Sequence, residues 1–240
     1  MDVLTPFLGS DRHEAGPQAS PERALPTGVA VPLRVLMLAW ELPSRSGTGV
    51  GTPGEALLAG LRALAAEIVL LLGGPAGPRT ETRGRLVPAG EPLRILTSFP
   101  PWRRAKAGRS QGEQLLDEVS RLSSVARIVA GEEPFDLIHA HDWMTFPAAV
   151  AARDASGSPF VAHVHATEFA RSAGGRGDPA VTRLEGEGLR RADRVICASS
   201  VAAGVVRLRY RVPESRIRVV EPAPGAEPAA RCVEVYRELV

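Results

Sequence analysis

Short apolar runs alternate with longer amphipathic stretches along the chain from Leu33 onward. Seven of the runs have the length and composition of buried strands: "LRVLMLAW", "EIVLLL", "LRILT", "DLIHAH", "PFVAHVH", "DRVICAS" and "RIRVV". Helical periodicity is present at about residues 53–66, 110–131, 143–154, 179–191 and 200–210. Strands that are apolar on both faces and alternate with helices predict an α/β fold with a single Rossmann-like, doubly wound parallel sheet.

The two ends of the chain have a different pattern. Residues 1–31 are rich in Pro, Gly and charge and have no sustained period, which predicts a disordered leader before a domain over 32–220. A Pro-rich linker follows over 221–228, and the apolar residues of 229–240 fall at steps of three and four: Cys232, Val233, Tyr236, Leu239 and Val240. A helix this short is marginal in water, so we expect its apolar stripe to be buried.

Composition narrows the class of protein. The net charge is +2, the only lysine is Lys106, and acidic residues are mixed among the arginines, so no basic stripe for nucleic acid is present. No apolar run reaches the ~18 residues of a membrane span. Cys197 and Cys232 lack metal-type spacing, and we expect a reducing, cytoplasmic compartment.

Four of the five histidines lie at the ends of two predicted strands. The group consists of His139 and His141 on the fourth strand, His163 and His165 on the fifth, and Asp142 and Glu168 just beyond them. Because ligands bind outside the carboxyl ends of parallel strands, we expect all six side chains near one rim of the sheet. Alternation along a strand places the two histidines of each pair on one face.

Two hypotheses account for these histidines. The first is a metal-dependent hydrolase, since H-x-H at a strand end is a metal-binding pattern, although the barrel that uses it needs eight strand–helix units. The second is that His139 and His163 are packed core histidines that donate to backbone carbonyls. We favour the second and expect no bound metal. His141 and His165 point further into the rim and are the better functional candidates.

A glycine-rich stretch, "WELPSRSGTGVGTPGEALLAGLRAL", follows the first strand. Thr52, Pro53 and Glu55 have the spacing of a capped helix start, which can hold an anion. The glycines begin too far from the strand end for a dinucleotide fingerprint, so an NAD site is not expected.

With these motifs in order, the chain resembles the N-terminal half of retaining GT-B glycosyltransferases of family four, which are related to glycogen and starch synthases. "WELPSRSGTGVG" is similar to that group's W-E-x-P-P followed by Gly-Gly-x-Gly, "HAHDW" matches its fourth-strand motif, and "HVHATEFARSAGG" is similar to the loop after its fifth strand. The final "ARCVEVYREL" is similar to the helix that crosses back onto the first domain. The resemblance implies a GT-B N-terminal domain with a C-terminal helix packed back on it.

The resemblance also implies an activity and a set of site residues. The activity is hexosyl transfer from a nucleotide sugar, such as an ADP-, UDP- or GDP-hexose, to a glycan or other acceptor, with no further cofactor. Asp142 and His165 would border the transferred sugar as catalytic residues. The implied substrate-binding residues are Gly49, Val50, Gly51, His141, Thr167, Glu168 and Arg171.

The sequence also departs from the family's pattern. Thr48 stands where the first glycine of a pair is expected, and the residues after Val220 do not continue into the family's second, nucleotide-binding domain. We therefore expect the isolated chain to lack turnover and to need a separate chain that carries the donor-binding half. The alternative is a catalytically silent binding or regulatory module, or a remnant of such an enzyme.

Overall fold

The computed structural model describes residues 33–40, 53–64, 66–74, 93–98, 110–172 and 175–240. The glycine-rich loop at Gly49–Gly51 and the leader over 1–31 lie outside these residues, so the expectations for both stay predictions. The elements are β1 (Arg34–Ala39), α1 (Pro53–Ala63), β2 (Glu67–Leu72), β3 (Leu93–Thr97), α2 (Gln111–Glu132), β4 (Leu137–His141), α3 (Phe146–Ser156), β5 (Phe160–Val164), α4 (Glu168–Arg171), α5 (Pro179–Arg191), β6 (Arg194–Cys197), α6 (Ser200–Arg209), a 3-10 turn (Glu214–Arg216), β7 (Ile217–Val219) and α7 (Glu227–Arg237).

All seven predicted strands are present and form a single parallel sheet in the order β3-β2-β1-β4-β5-β6-β7. The chain returns to the middle of the sheet after β3, so the strand order reverses between β1 and β4. This is the doubly wound topology, in which ligands bind at the carboxyl ends of the strands near the reversal. The predicted fold class is confirmed.

Side-chain alternation divides the core into two layers, one on each face of the sheet. Leu36 and Leu38 of β1 face a layer built with α2, α3, α5 and α6. Val35 and Met37 face the opposite layer, which α1 and α7 cover. Buried apolar side chains on both faces explain why the strands read as continuous hydrophobic runs.

The C-terminal helix α7 packs back onto the sheet beside α1, as predicted. Gly60 allows this approach, because a Cβ added there would lie 2.5 Å from the Cβ of Ala229. The buried residues of α7 are Ala229, Cys232, Val233, Val235 and Tyr236. The predicted stripe was wrong at Val240, which is 56% exposed because the helix ends at Arg237. Glu238 anchors this end through ion pairs with Arg194 and Arg218 at 2.8 and 2.7 Å.

The helices agree closely with the predicted ones, with two differences near the rim. Helix α3 begins at Phe146 rather than at residue 143, because residues 142–145 form a turn at the end of β4. The four-residue α4 was not predicted, since a segment that short carries no periodicity. Among the described residues, no helix is long and apolar enough to cross a membrane.

Candidate functional site

Asp142 lies at the carboxyl end of β4, in the turn that leads to α3. Its φ is 58°, in the left-handed region that few residues other than glycine adopt. Aspartate tolerates this conformation better than most side chains, but it still costs free energy that the surroundings must supply. Strained residues of this kind cluster at functional sites.

The contacts of Asp142 join the ends of β4 and β5. Its backbone N–H donates to the His163 carbonyl at 2.9 Å, and its Oδ1 accepts from the backbone N–H of His165 at 2.9 Å. Its Oδ2 accepts from Arg171 Nη2 at 3.3 Å. The carboxylate is therefore held in one orientation at the rim, while the side chain keeps 19% of its surface exposed.

The four histidines stack into one cluster on the face of the sheet that α1 and α7 cover. The rings of His139 and His141 are 4.5 Å apart between centroids, as are those of His163 and His165. Across the strands, His141 Nδ1 lies 3.0 Å from His165 Nε2. His165 is exposed and His139 is fully buried, so the cluster runs from the rim into the core.

The buried end of the cluster has side-chain partners rather than the backbone carbonyls that we expected. His139 Nδ1 lies 2.5 Å from the hydroxyl of Tyr236, and His139 Nε2 lies 3.1 Å from His163 Nδ1. The expectation failed because the nearest polar group comes from α7, which is distant in sequence. Burial, with a smaller contribution from the charge of His165, lowers the pKa of His139 to about 3. Burial also lowers the pKa of His163, so both rings are neutral at pH 7.

The geometry does not favour the metal-hydrolase hypothesis. His139, His141 and His163 have ligand nitrogens within 4.8 Å of one another. Nitrogens that bind one zinc ion must all be directed at it, at bond lengths of about 2.0–2.1 Å. The rings are stacked rather than turned toward a common point, and both nitrogens of His139 already have hydrogen-bond partners.

Thr167 and Glu168 begin α4, shortly after β5: Thr167 is its N-cap and Glu168 its first residue. The buried Thr167 hydroxyl accepts from Ala170 N at 3.2 Å and so caps α4. The Glu168 carboxylate accepts from Asp178 N at 2.9 Å and ties α4 to the start of α5. Both side chains therefore help to position α4, whose last residue is Arg171.

The structure adds Glu185 and Tyr210, two residues that the sequence analysis missed. Glu185 of α5 is 1% exposed and accepts from Glu168 N and from the hydroxyl of Tyr210. Burial raises the pKa of Glu185 despite these donors. A signal was present in the sequence, because Glu185 lies four residues before the buried Leu189 and so occupies the apolar face of α5.

The predicted residues thus fall into three groups. Four of them meet at the rim between β4 and β5: His141, Asp142, His165 and Arg171. Thr167 and Glu168 support that rim from α4. The group Gly49, Val50 and Gly51 lies outside the described residues, so its part in binding stays a prediction.

Known proteins resemble this chain in both sequence and fold. The family description "glycosyl transferase 4-like domain" matches residues 48–223 of the chain. Glycogen synthase of Mycobacterium tuberculosis (strain ATCC 25618 / H37Rv) is 26% identical over 149 residues, which are 59% of this chain and 36% of the synthase. The chain therefore spans little more than a third of the length of the curated relatives that it matches.

Solved structures share the fold at low identity. Sucrose-phosphate synthase from Thermosynechococcus elongatus matches with a TM-score of 0.60 and 14% identity, over 86% of this chain and 98% of that one. Anabaena Alr3699/HepE in complex with UDP and glucose matches with a TM-score of 0.50 and 16% identity, over 80% of this chain and 44% of that one. At identities this low, the matches show a shared fold only.

Proposed function

The chain belongs to the glycosyl transferase 4-like domain family, and we propose that it forms the acceptor-side domain of an enzyme that transfers a hexose from a nucleotide sugar to a glycan or another acceptor. The donor's nucleotide would be held by a second domain, supplied by a further part of the protein or by another chain. In this arrangement the rim between β4 and β5 faces the sugar.

The single observation that carries this proposal is the geometry of Asp142, whose backbone is left-handed and whose carboxylate is held by hydrogen bonds. Its backbone conformation costs free energy, and two backbone N–H groups together with Arg171 hold its carboxylate at the rim. These contacts still leave 19% of the side chain's surface exposed at the rim. A fixed carboxylate can accept a hydrogen bond from a sugar hydroxyl, which is the role proposed for it.

The neighbouring groups fit the chemistry of sugar transfer. Retaining transfer passes through an oxocarbenium-like state, in which positive charge develops on the sugar ring. A fixed carboxylate near that ring stabilises the charge, because it needs no reorganisation when the charge forms. His165 is exposed and shares a hydrogen bond with His141, so its ring can donate to or accept from a sugar hydroxyl.

The proposed donor is a nucleotide sugar. Support comes from the matching fold of Anabaena Alr3699/HepE, which was solved in complex with UDP and glucose. We propose Gly49, Val50 and Gly51 as the part of this domain that approaches the donor diphosphate, and Glu168 and Arg171 as the part that shapes the acceptor side. No further cofactor is needed for this reaction.

Saturation-transfer NMR on the purified chain tests the proposal. UDP-glucose, ADP-glucose, GDP-mannose and maltooligosaccharides would each be added to the wild type and to Asp142→Asn. We expect sugar protons of at least one ligand to contact the wild type, and this signal to fall by about tenfold in Asp142→Asn, since hydrogen bonds to charged groups contribute about 1.5–3 kcal/mol.

Asp154→Asn is the matched control, because Asp154 is an exposed carboxylate of α3 that pairs with Arg191. It should bind sugar as the wild type does. Sugar contacts of equal strength in Asp142→Asn, or no sugar contact with any of these ligands, would contradict the proposal. We also expect no hexose transfer by the chain alone, and turnover that disappears in Asp142→Ala would show that no second domain is needed.

A further inference from the structure

A cleft of about 380 Å³ lies between α4, α5 and the end of α6. Four arginines line it: Arg176, Arg190, Arg209 and Arg211. Among the described residues, no carboxylate lines the cleft. Its size is that of a small-molecule site, and its charge selects an anion.

A neighbouring cleft between α3, β6 and the end of α5 shares Arg190 with the first, but two of its other arginines are paired with carboxylates. There, Arg153 pairs with Asp193 at 3.1 Å and Arg194 pairs with Glu238 at 2.8 Å. Within the described part of the chain, no carboxylate forms an ion pair with the four arginines of the first cleft. Their charge is therefore left available to a ligand.

Arg211 supplies a second and independent observation. It follows the last residue of α6 and its cap, where glycine is the usual residue, and its φ is 56°. A non-glycine residue in this conformation costs free energy. Arginine has no special tolerance of the left-handed region, so its presence points to a role for the guanidinium that glycine cannot fill.

Two further contacts shape the cleft. The Arg209 guanidinium lies over the ring of Phe169, 4.3 Å from its centroid, which fixes its plane while leaving its edge free to donate. Gly186, in the middle of α5, leaves space for Arg190, because a Cβ there would lie 3.1 Å from Arg190 Nη1.

Two of the four arginines have a second role. Arg190 and Arg209 lie in the last turns of α5 and α6, where a positive charge interacts favourably with the helix dipole. Arg176 and Arg211 lie outside the helices and have no such role.

We propose that this cleft binds a phosphate-bearing ligand, either a phosphorylated small molecule or the headgroup of an anionic phospholipid. Planar guanidinium groups match phosphate oxygens in a bidentate manner. Leu208 also lines the cleft and is 68% exposed, so an apolar side chain is accessible to a lipid surface beside the four arginines. None of its lining residues is one of the predicted site residues, and its test measures ligand binding, so the test does not depend on any transferase activity.

Calorimetric titration of the purified chain with sodium pyrophosphate, at constant ionic strength, tests the small-molecule source. Arg211→Gly removes the guanidinium and supplies the residue that prefers the left-handed backbone. We expect it to bind pyrophosphate about tenfold more weakly than the wild type, while its melting temperature without ligand stays equal or rises. Arg209→Gln should weaken binding in the same way without any change of backbone preference.

Arg207→Gln is the matched control, because Arg207 is an exposed arginine of the same helix that does not line the cleft. It should keep the wild-type affinity. Sedimentation with phosphatidylcholine vesicles, with and without phosphatidylglycerol, tests the lipid source, and binding that requires both phosphatidylglycerol and Arg211 would identify the headgroup. Binding of neither probe would overturn the proposal, as would equal weakening by Arg207→Gln and Arg209→Gln.

Discussion

Replacing Tyr236 by phenylalanine removes one hydroxyl from the centre of the layer that α7 covers. Tyr236 and His139 are both 0% exposed, and the hydroxyl lies 2.5 Å from His139 Nδ1. Phenylalanine keeps the ring and its packing, so the change leaves a buried imidazole nitrogen without a partner. Leaving a buried polar group unsatisfied costs about 1–3 kcal/mol.

This cost has a measurable size in thermal unfolding. For a domain of about 200 residues, 1 kcal/mol corresponds to a shift of about 2–4 °C in the melting temperature. A cost of about 2 kcal/mol therefore predicts that Tyr236→Phe melts about 4–8 °C below the wild type. Differential scanning calorimetry measures this shift directly.

A double-mutant cycle tests whether His139 is the cause. In a His139→Leu background the tyrosine hydroxyl is itself the unpaired group, so Tyr236→Phe should be neutral or stabilising there. The reasoning would be refuted by a wild-type melting temperature for Tyr236→Phe, or by the same loss in both backgrounds.

Three further predictions follow from the same regions of the fold. Deleting residues 229–240 removes most of the buried face of α7, so it should lower the free energy of unfolding by about 3–6 kcal/mol and promote aggregation. Calorimetry and light scattering would detect these effects. A truncated chain that stays monomeric and melts at the same temperature as the intact chain would contradict this prediction. The pKa values of His139 and His163 are lowered in the folded chain, whereas in the unfolded chain they return to the ordinary histidine value of about 6.5. Below pH 6.5 the unfolded chain therefore binds more protons than the folded chain, so stability should fall as the pH drops from 6.5 toward 5. His163→Gln should flatten this dependence, and an unchanged slope would argue against buried neutral histidines. Purified protein should carry less than stoichiometric zinc by elemental analysis and melt at the same temperature with and without a chelator, whereas bound zinc whose removal destabilises the chain would revive the hydrolase hypothesis.

Periodicity was sufficient to predict the sheet, because each strand is buried on both faces and so appears in the sequence as an apolar run. It also placed His141, Asp142 and His165 together, since the carboxyl ends of neighbouring parallel strands meet at one edge. These inferences need only local patterns and the general topology of α/β folds.

The details of the site depend on contacts between distant parts of the chain. The partner of His139 comes from α7, 97 positions later, and the donors to Glu185 come from α4 and from the end of α6. The left-handed backbone of Asp142 also left no trace in the local pattern, because aspartate occurs in many turns. Side-chain partners of this kind are set by packing, which a single sequence does not reveal.

The pairing of α1 with α7 also determines when this domain can finish folding. During synthesis α1 is made long before α7, so one face of the sheet stays half covered until α7 has been made. The closing contacts join residues far apart in sequence, which slows folding because a long loop must be ordered first. A nascent chain in this state exposes apolar strands. Exposed apolar surface of this kind is bound by chaperones and promotes aggregation.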